Sequence, residues 1–331
     1  MRIICLCLLF LITIVVNVSA DLSCKDEDNN DVDWWFMYLQ DDDDAKYFYV
    51  TSENYNKWQM SNETLMSNRS LLFRGLNLEY LAAYATYNDV FTNGTTFDWG
   101  GASRGLIAAS GTVHAGIWII HSMPLNGTLN QTYGEHYLCL TLDKKGVEKA
   151  AELLVLSEPH FNSTLQVNNL VEFFPLLYNA IGRNTLTAGD LELDVELSTL
   201  KGRKFRFFGK HPSIYKELYA DIVAPALGVN LFVRTDRNSC STCQNLPNKC
   251  NDNKIYNIKE VVGPQGRSIS ALTDHSKWAV SQKNSGGDWI CIGDLNRHQS
   301  HLSRGGSAIC LEDSVVSERY RELISSYEEC E

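Results

Sequence analysis

Two neighbouring stretches near the C-terminus decide the fold: Asp-His-Ser-Lys-Trp at 274–278 and Trp-Ile-Cys-Ile-Gly-Asp-Leu-Asn at 289–296. The first half of the chain repeats this arrangement, with Gly-Ala-Ser-Arg-Gly at 101–105 and Trp-Ile-Ile-His-Ser at 118–122. In both places a serine and a basic residue lie about fourteen residues before a Trp-Ile strand. The repetition predicts one structural half used twice, related by a pseudo-twofold axis; the alternative is chance similarity of a short pattern.

Short β-rich runs alternate with helical stretches along the rest of the chain. The residue pattern predicts strands at Trp34–Leu39, Lys46–Thr51, Gly105–Ala109, Ile117–His121, His136–Leu142, Lys204–Phe208, Asn230–Arg234 and Trp289–Gly293. It predicts helices at Lys145–Leu156, Leu170–Ile181, Tyr215–Ala224 and Ser314–Tyr327, with Pro175 as a kink or boundary in the second. This is the pattern of an α/β layered protein. We expect an N-terminal half of about 21–190 and a C-terminal half of about 191–331.

The His-x-Lys sequence at His275 and Lys277 is a candidate for phosphate chemistry. Residues two apart on a strand point to the same face, so an imidazole and an ammonium can be directed at one phosphate. The Gly293–Asn296 segment ends the following strand, where a turn and an amide can complete a phosphate site. The alternative is a surface strand that exposes an unrelated histidine and lysine.

The order His-x-Lys, strand, Gly-Asp-x-Asn resembles the phosphodiesterase motif of the phospholipase D type. Residues 274–278, 291–297 and 304–306 resemble the C-terminal signature of the deoxyribonuclease II family. Further matches to that family span most of the chain: Asp33-Trp34, Tyr87-Asn88-Asp89, Trp118–Pro124, Tyr133-Gly134, Cys139 and Ala224–Gly228. The resemblance implies an α/β phospholipase D-like pseudo-dimer, with two sandwich halves that meet at one cleft.

The same resemblance implies metal-independent cleavage of DNA at acidic pH, without a cofactor, leaving 3′-phosphate ends. In such a site one histidine attacks phosphorus and a second protonates the leaving oxygen, while cations neutralise the phosphate oxygens. Carried over residue by residue, the catalytic candidates are His275, Lys277 and His121. The substrate-binding candidates are Arg104 and Asn296, and no metal ligands are expected.

The first half departs from the family pattern Gly-His-x-Lys-Gly, because position 102 is an alanine. Arg104 keeps a cation that can bind phosphate through two hydrogen bonds, whereas Ala102 keeps no imidazole. His114, in the turn of the same hairpin, and His121, at the end of its strand, are the alternatives for replacing it.

Two classes of function therefore stay open. One is an acid endonuclease of the deoxyribonuclease II type whose activity is reduced or lost. The other is a secreted non-catalytic homologue that binds DNA or a host protein. Phospholipase D proper shares the His-x-Lys chemistry but lacks the deoxyribonuclease II matches.

The N-terminus predicts entry into the secretory pathway. Arg2 precedes an apolar run from Ile3 to Val16 and a Val-Ser-Ala sequence at 18–20, which is typical of a signal peptide of residues 1–20. Beyond it no apolar run is long enough to span a membrane, so we expect a protein that is secreted or lysosomal and not membrane-bound. Six Asn-x-Ser/Thr sequences predict glycosylation: Asn62, Asn68, Asn93, Asn126, Asn130 and Asn162.

Eight cysteines follow the signal peptide, and an even number in an oxidising compartment predicts disulfides. The alternative for Cys240, Cys243 and Cys250 is a zinc site with a nearby histidine.

The expected mature chain is acidic, with 28 basic and 40 acidic residues. This balance disfavours broad, non-specific binding of nucleic acid but allows a local basic groove with DNA as partner. One candidate is the Lys201–Lys210 segment, which interleaves cations with aromatics and either holds nucleic acid or forms a strand with a solvated basic face. His298 and His301 are interpreted as surface residues, and a homodimer is a further possibility.

Overall fold

The computed structural model describes residues 22–41, 45–74, 81–91, 93–112, 114–124, 133–166, 170–182, 190–237, 244–271 and 273–330. Two large sheets dominate these residues. The first sheet draws its strands from the first part of the chain: β3 Trp34–Leu39, β4 Lys46–Thr51, β5 Asn54–Thr64, β6 Leu81–Tyr87, β7 Gly105–Ser110, β8 Ala115–His121, β9 Glu135–Asp143 and β10 Phe161–Gln166. Two short strands, β1 Cys24–Lys25 and β2 Asp31–Val32, pair with each other ahead of it.

The second sheet follows in the chain and includes β11 Glu192–Ser198, β12 Lys204–Lys210, β13 Leu231–Arg234, β14 Ile255–Val262, β15 Ser268–Ser270, β16 Trp278–Ser281, β17 Trp289–Gly293, β18 Gly306–Glu312 and β19 Ile324–Tyr327. The helices are α1 Leu71–Arg74, α2 Lys144–Ser157, α3 Leu170–Phe173, α4 Pro175–Ile181, α5 Ala224–Leu227 and α6 Ser314–Leu323. A π-helical turn at Leu218–Val223 precedes α5, and a 3₁₀ turn at Gln299–Ser303 precedes β18.

The two sheets share the order of their central strands. The first runs β6-β7-β8-β9-β3 and the second β13-β16-β17-β18-β12, and every neighbouring pair in both is antiparallel. A helix follows the equivalent strand in each half, α2 after β9 and α6 after β18. Asp143 and Asp313 cap these helices by accepting hydrogen bonds from backbone N–H groups of the first turn. The two-half α/β architecture expected from the sequence is confirmed.

The main core lies between the sheets and includes α2 and α6. Strand β3 shows how the sequence builds it, because Trp34, Phe36 and Tyr38 enter this core while the alternate residues pack on the opposite face. The outer face of the second sheet is covered by the π-helical turn and α5. Both faces of the central strands are therefore buried, which holds the strand ends, and the loops that follow them, in fixed positions.

Most predicted strands lie within two residues of their observed bounds, and Pro175 does separate two helices. One helix prediction and one strand prediction need correction. The C-terminal helix ends at Leu323, because Ile324–Tyr327 forms a strand paired with β14. His275 and Lys277 lie in an extended segment just before β16 and not within a strand.

Among the described residues, three disulfides join Cys24 to Cys139, Cys250 to Cys330 and Cys291 to Cys310. The zinc alternative that used Cys250 is therefore wrong, and Cys240 and Cys243 lie outside the described residues. Within the described part of the chain no helix is long and apolar enough to cross a membrane. The asparagines of four sequons, Asn62, Asn68, Asn93 and Asn162, are exposed, while the signal segment and the other two sequons lie outside the described residues.

Candidate active site

The backbone places the segment at 101–105 and the segment at 274–278 in equivalent positions. Ala102 N–H donates to the Gly305 carbonyl at 2.9 Å, and His275 N–H donates to the Gly134 carbonyl at 2.8 Å. Parallel bridges join Gly101 to Gly305 and Gly134 to Asp274. Each half therefore pairs its motif with a glycine of the other half.

The strands that follow continue the same correspondence. His121 N–H donates to the Arg104 carbonyl at 3.1 Å, just as Gly293 N–H donates to the Lys277 carbonyl at 2.9 Å. These matches make Arg104 the structural equivalent of Lys277, and Ala102 the structural equivalent of His275. The repeat that the sequence predicts is therefore also present in the structure. The segments 101–105 and 274–278 both lie at the junction of the halves.

The imidazole of His275 is held by acidic and aromatic neighbours. Its Nδ1 lies 3.0 Å from Glu135 Oε1, and its Nε2 lies 3.7 Å from Asp236 Oδ2. Tyr133 stacks on the ring with a centroid separation of 4.1 Å. A carboxylate at Nδ1 fixes the tautomer and the ring orientation of a histidine, so Nε2 is the nitrogen available to a substrate phosphate.

The loop that carries His275 is anchored by a buried charge network. Asp274 Oδ2 accepts hydrogen bonds from Arg234 Nε and Tyr38 Oη, each at 2.6 Å. Its Oδ1 accepts from the Ser276 backbone N–H at 3.0 Å. The side chains of Asp274 and Arg234 are fully buried, so this pair sets the backbone position of the candidate catalytic residue.

Three cations line the junction of the halves. Arg104 Nε donates to Asp89 Oδ1 at 2.6 Å, and its Nη1 donates to the Ser122 carbonyl. Arg304 donates to the carbonyls of Gly100 and Gly101, each at 3.0 Å.

The third cation, Lys277, is 4% exposed. Burial and the nearby Arg104 guanidinium lower the pKa of Lys277. Burial alone would raise the pKa of Asp89, but Arg104 and Arg304 outweigh it and lower that pKa.

His121 forms part of the wall beside these cations. Its ring lies against Tyr137 with centroids 5.4 Å apart. Burial, together with Arg104 and Lys277, lowers the pKa of His121 to about 3. The surroundings therefore favour the neutral imidazole, and the catalytic assignment of His121 stays a prediction.

Asn296 lies in the loop that closes the site after β17. Its backbone N–H donates to His301 Nδ1 at 2.9 Å, and its buried side-chain Oδ1 has no hydrogen-bond partner among the described residues. His298, expected at the surface, is 2% exposed, which corrects the sequence interpretation. Burial lowers the pKa of both His298 and His301.

Comparison with known proteins identifies the family. The sequence profile of deoxyribonuclease II matches residues 23–330. The chain belongs to the deoxyribonuclease II family. Plancitoxin-1 of Acanthaster planci is 28% identical, over 98% of this chain and 97% of that one. Mouse deoxyribonuclease-2-beta is also 28% identical with the same coverage, and Caenorhabditis elegans deoxyribonuclease-2 is 26% identical over 98% of both chains.

Among solved structures, yeast tyrosyl-DNA phosphodiesterase matches 63% of this chain and 66% of its own at 9% identity, with a TM-score of 0.31. A score this low supports no inference about function, and the two-half architecture described above stands on the strand order and hydrogen bonds of this chain itself.

Position 102, where the sequence predicts a departure from the family pattern, is an alanine in this deoxyribonuclease II family chain. Ala102 occupies the backbone position equivalent to His275 but packs in an apolar cluster with Tyr219 and Leu295 and is 3% exposed. His114 does not replace it, because His114 lies in the β7–β8 turn beside Phe173, at the opposite end of the hairpin from Arg104. That alternative is wrong on geometry.

The basic segment at 201–210 is a strand with a solvated face rather than a nucleic-acid surface. Phe205, Phe207 and Phe208 are buried and cannot stack on bases. The cations Lys201, Arg203, Lys204 and Arg206 form ion pairs with Glu53, Asp313, Glu196 and Asp194, respectively.

Two functional candidates were missed in the sequence, Glu135 and Asp236. Glu135 begins β9, and Asp236 follows the end of β13, so both are acidic residues at strand ends. An acidic residue at a strand end is a signal that the sequence does contain. The sequence does not show that both residues contact His275, because they lie far from it along the chain.

Asp294 connects the two halves and provides a pH-dependent prediction. Its Oδ2 accepts hydrogen bonds from Ser103 Oγ at 2.9 Å and from the Ser307 N–H at 2.9 Å. Burial raises the pKa of Asp294 from 3.8 to about 6. The folded state therefore binds this proton more tightly than the unfolded state, and ionisation lowers stability as pH rises from about 4 to about 6.

We expect Asp294→Asn to remove this contribution. The unfolding free energy of the variant minus that of the wild type should therefore be about 2 kcal/mol larger at pH 7 than at pH 4.5. Urea denaturation of both proteins at the two pH values measures the difference. An unchanged difference between variant and wild type would show that Asp294 is ionised at both pH values.

Proposed function

We propose that this deoxyribonuclease II family protein binds the phosphodiester backbone of DNA at the junction of its two halves. We further propose that it cleaves DNA at a small fraction of the rate of a family member with both histidines. The observation that carries the proposal is the equivalence of Ala102 and His275: the backbone of both half-sites is kept, but only one carries an imidazole. His275, Lys277, Arg104 and Asn296 supply the retained functions.

Phosphate binding is supported by the charges at the junction. Arg104 and Lys277 occupy equivalent positions in the two halves, so they can neutralise oxygens on opposite sides of one phosphate. Arg304 adds a third cation nearby. Because these cations are available, the chemistry needs no metal or cofactor. DNA is the proposed substrate on the strength of the family.

The reduced rate of cleavage follows from a mechanism that uses two histidines. One imidazole nitrogen forms a bond to phosphorus as the P–O5′ bond breaks, and the other imidazole gives a proton to the departing oxygen. Water then cleaves the phosphorus–nitrogen bond and releases the 3′-phosphate end. His275 can fill one role, and without an imidazole at position 102 the other falls to water. Loss of a general acid or base costs roughly 10² to 10⁴ in rate.

The second candidate is a secreted homologue without catalysis that binds DNA or a host protein. It is favoured by the burial of Ala102 in an apolar cluster, which leaves no imidazole at the position equivalent to His275. The secretory signal and the exposed sequons support a secreted or lysosomal location. Homodimer formation stays a prediction.

The test uses the purified full-length mature protein, with chelator present at acidic pH. Plasmid cleavage should be slow, and binding of a labelled oligonucleotide should weaken as salt rises, because ionic contacts release counterions. His275→Asn should remove the residual cleavage. His114→Asn is the matched control, since it makes the same replacement at the far end of the hairpin in a residue with positive φ that asparagine accepts.

Fast cleavage that survives His275→Asn would overturn the site assignment. Absence of salt-dependent oligonucleotide binding would overturn DNA as the partner and leave the host-protein alternative.

A further inference from the structure

Both outer strands of the first sheet carry a sequon. Strands β10 and β5 end the strand order of that sheet, and among the described residues each pairs with one neighbour only, β10 with β6 and β5 with β4. Asn162 begins Asn-Ser-Thr in β10, and Asn62 begins Asn-Glu-Thr in β5. Both asparagines are exposed. Two acceptors for a bulky glycan therefore lie on the two open edges of one sheet.

Each asparagine also lies at an irregularity in the pairing of its strand. In β10 the register shifts between Phe161 and Ser163, so Asn162 is the extra residue of a β-bulge. In β5 the register shifts within residues 60–64, which contain Asn62. A bulge leaves its extra residue outside the ladder and bends the strand, which disfavours pairing with another chain. Both sequons therefore lie where the strand is already shaped as a closed edge.

The edge formed by β10 needs protection more than most edges do. An edge strand presents backbone N–H and C=O groups with which a strand of another molecule can pair. The sequence of β10 contains no charged residue, and Leu165 is 43% exposed. Helix α4 packs against β10 and exposes Leu176 and Tyr178. This edge therefore offers a second copy of the chain both backbone groups and apolar contacts.

The second sheet limits its edges without sequons. Strand β15, at one end of the strand order, has three residues. Strand β11, at the other end, carries Glu192, Asp194 and Glu196. Short strands and charged side chains both keep edges from pairing. Strand β10 has six residues and no charge, so a glycan on Asn162 supplies the protection that length and charge do not.

We propose that Asn62 and Asn162 are N-glycosylated and that their glycans keep both edges of the first sheet from pairing with a second copy of the chain. The sugar donor is a lipid-linked oligosaccharide diphosphate. The asparagine Nδ2 forms a bond to the anomeric carbon of the sugar and gives up a proton, while the bond from that carbon to the diphosphate breaks and the diphosphate leaves. The proposal requires the secretory route expected from the N-terminus, and it is independent of DNA binding and cleavage.

The experiment uses the full-length chain expressed and secreted by a eukaryotic cell line. Mass spectrometry of its glycopeptides should find a glycan at both asparagines. The double variant Asn62→Gln, Asn162→Gln removes both glycans. Its polypeptide mass per particle, measured by light scattering, should rise about twofold or more over wild type, because an open edge pairs with the edge of a second chain. The increase should grow with protein concentration.

Two control variants make the result specific to the edges. Asn68→Gln with Asn93→Gln removes two exposed sequons that lie in turns, and it should leave the polypeptide mass per particle unchanged. Asn62→Lys with Asn162→Lys removes both edge glycans but places a charge at each edge, so it should keep the wild-type value. Thermal denaturation establishes that each variant is folded.

Several results would overturn the proposal. One is the absence of a glycan at either asparagine, and another is a folded glutamine variant at positions 62 and 162 that keeps the wild-type particle mass. Equal association of the variant at positions 68 and 93 would show that glycans act on solubility in general. If the glutamine variant at 62 and 162 is not secreted, the lysine variant decides. A folded lysine variant with the wild-type particle mass supports edge protection, whereas a lysine variant that associates or is not secreted overturns it.

Discussion

Ala102→His is expected to raise the rate of plasmid cleavage at acidic pH by roughly 10² to 10⁴. The backbone at position 102 already matches that of His275, so the new imidazole enters at the equivalent position across the junction. It supplies the second proton-transfer group, and the cations at Arg104 and Lys277 are already in place. The gain should show a bell-shaped pH profile, because one imidazole must be neutral while the other is protonated.

Two further variants test the origin of that gain. Ala102→Gln introduces a side chain of similar bulk without proton-transfer chemistry and should not raise the rate. Adding His275→Asn to Ala102→His should abolish the gain, because both histidines are needed. Thermal denaturation of each variant establishes that it is folded, since position 102 is 3% exposed. A folded Ala102→His protein that binds DNA and gains no activity would contradict the hypothesis that Ala102 limits catalysis.

Arg234→Met is expected to destabilise the protein by about 3–5 kcal/mol, because it leaves the buried carboxylate of Asp274 without its cationic partner. The matched control is Arg206→Met, which breaks an exposed arginine–aspartate pair with Asp194 and should cost about 1 kcal/mol or less. Urea denaturation of both variants gives the comparison.

A double variant tests whether the unpaired carboxylate of Asp274 causes the loss of stability. Adding Asp274→Asn to Arg234→Met removes the unpaired charge and should recover part of the lost stability. If Arg234→Met costs no more than Arg206→Met, the buried pair does not hold the loop that carries His275.

The sequence predicted the strands with strong local patterns, because alternating aromatic and β-branched residues are visible within a few positions. It missed β6, whose alanine-rich Leu81–Tyr87 sequence has weak β-propensity and is stabilised by its neighbours in the sheet. It extended the last helix through Ile324–Tyr327, because the pairing of those residues with β14 depends on a distant segment.

The site was predictable to the extent that its residues lie in short local motifs. His275, Lys277, Asn296 and Arg104 come from three short segments, 101–105, 274–278 and 289–296, and backbone hydrogen bonds hold the first two in equivalent positions in the two halves. The neighbours that orient His275 come from other strands, so no local pattern could pair Glu135 or Asp236 with it. His298 was misjudged because its burial arises from the packing of the loop after β17.

The exchange of backbone bonds between the halves has a consequence for how this site can evolve. In a symmetric assembly of two identical subunits, one codon would encode both copies of a catalytic residue, so losing one imidazole would mean losing both. Here each motif pairs with a glycine of the other half: Gly101 pairs with Gly305, and Asp274 pairs with Gly134. The two motifs are nevertheless encoded by different codons. One motif can therefore change while the backbone that it shares with its counterpart continues to hold His275 in place.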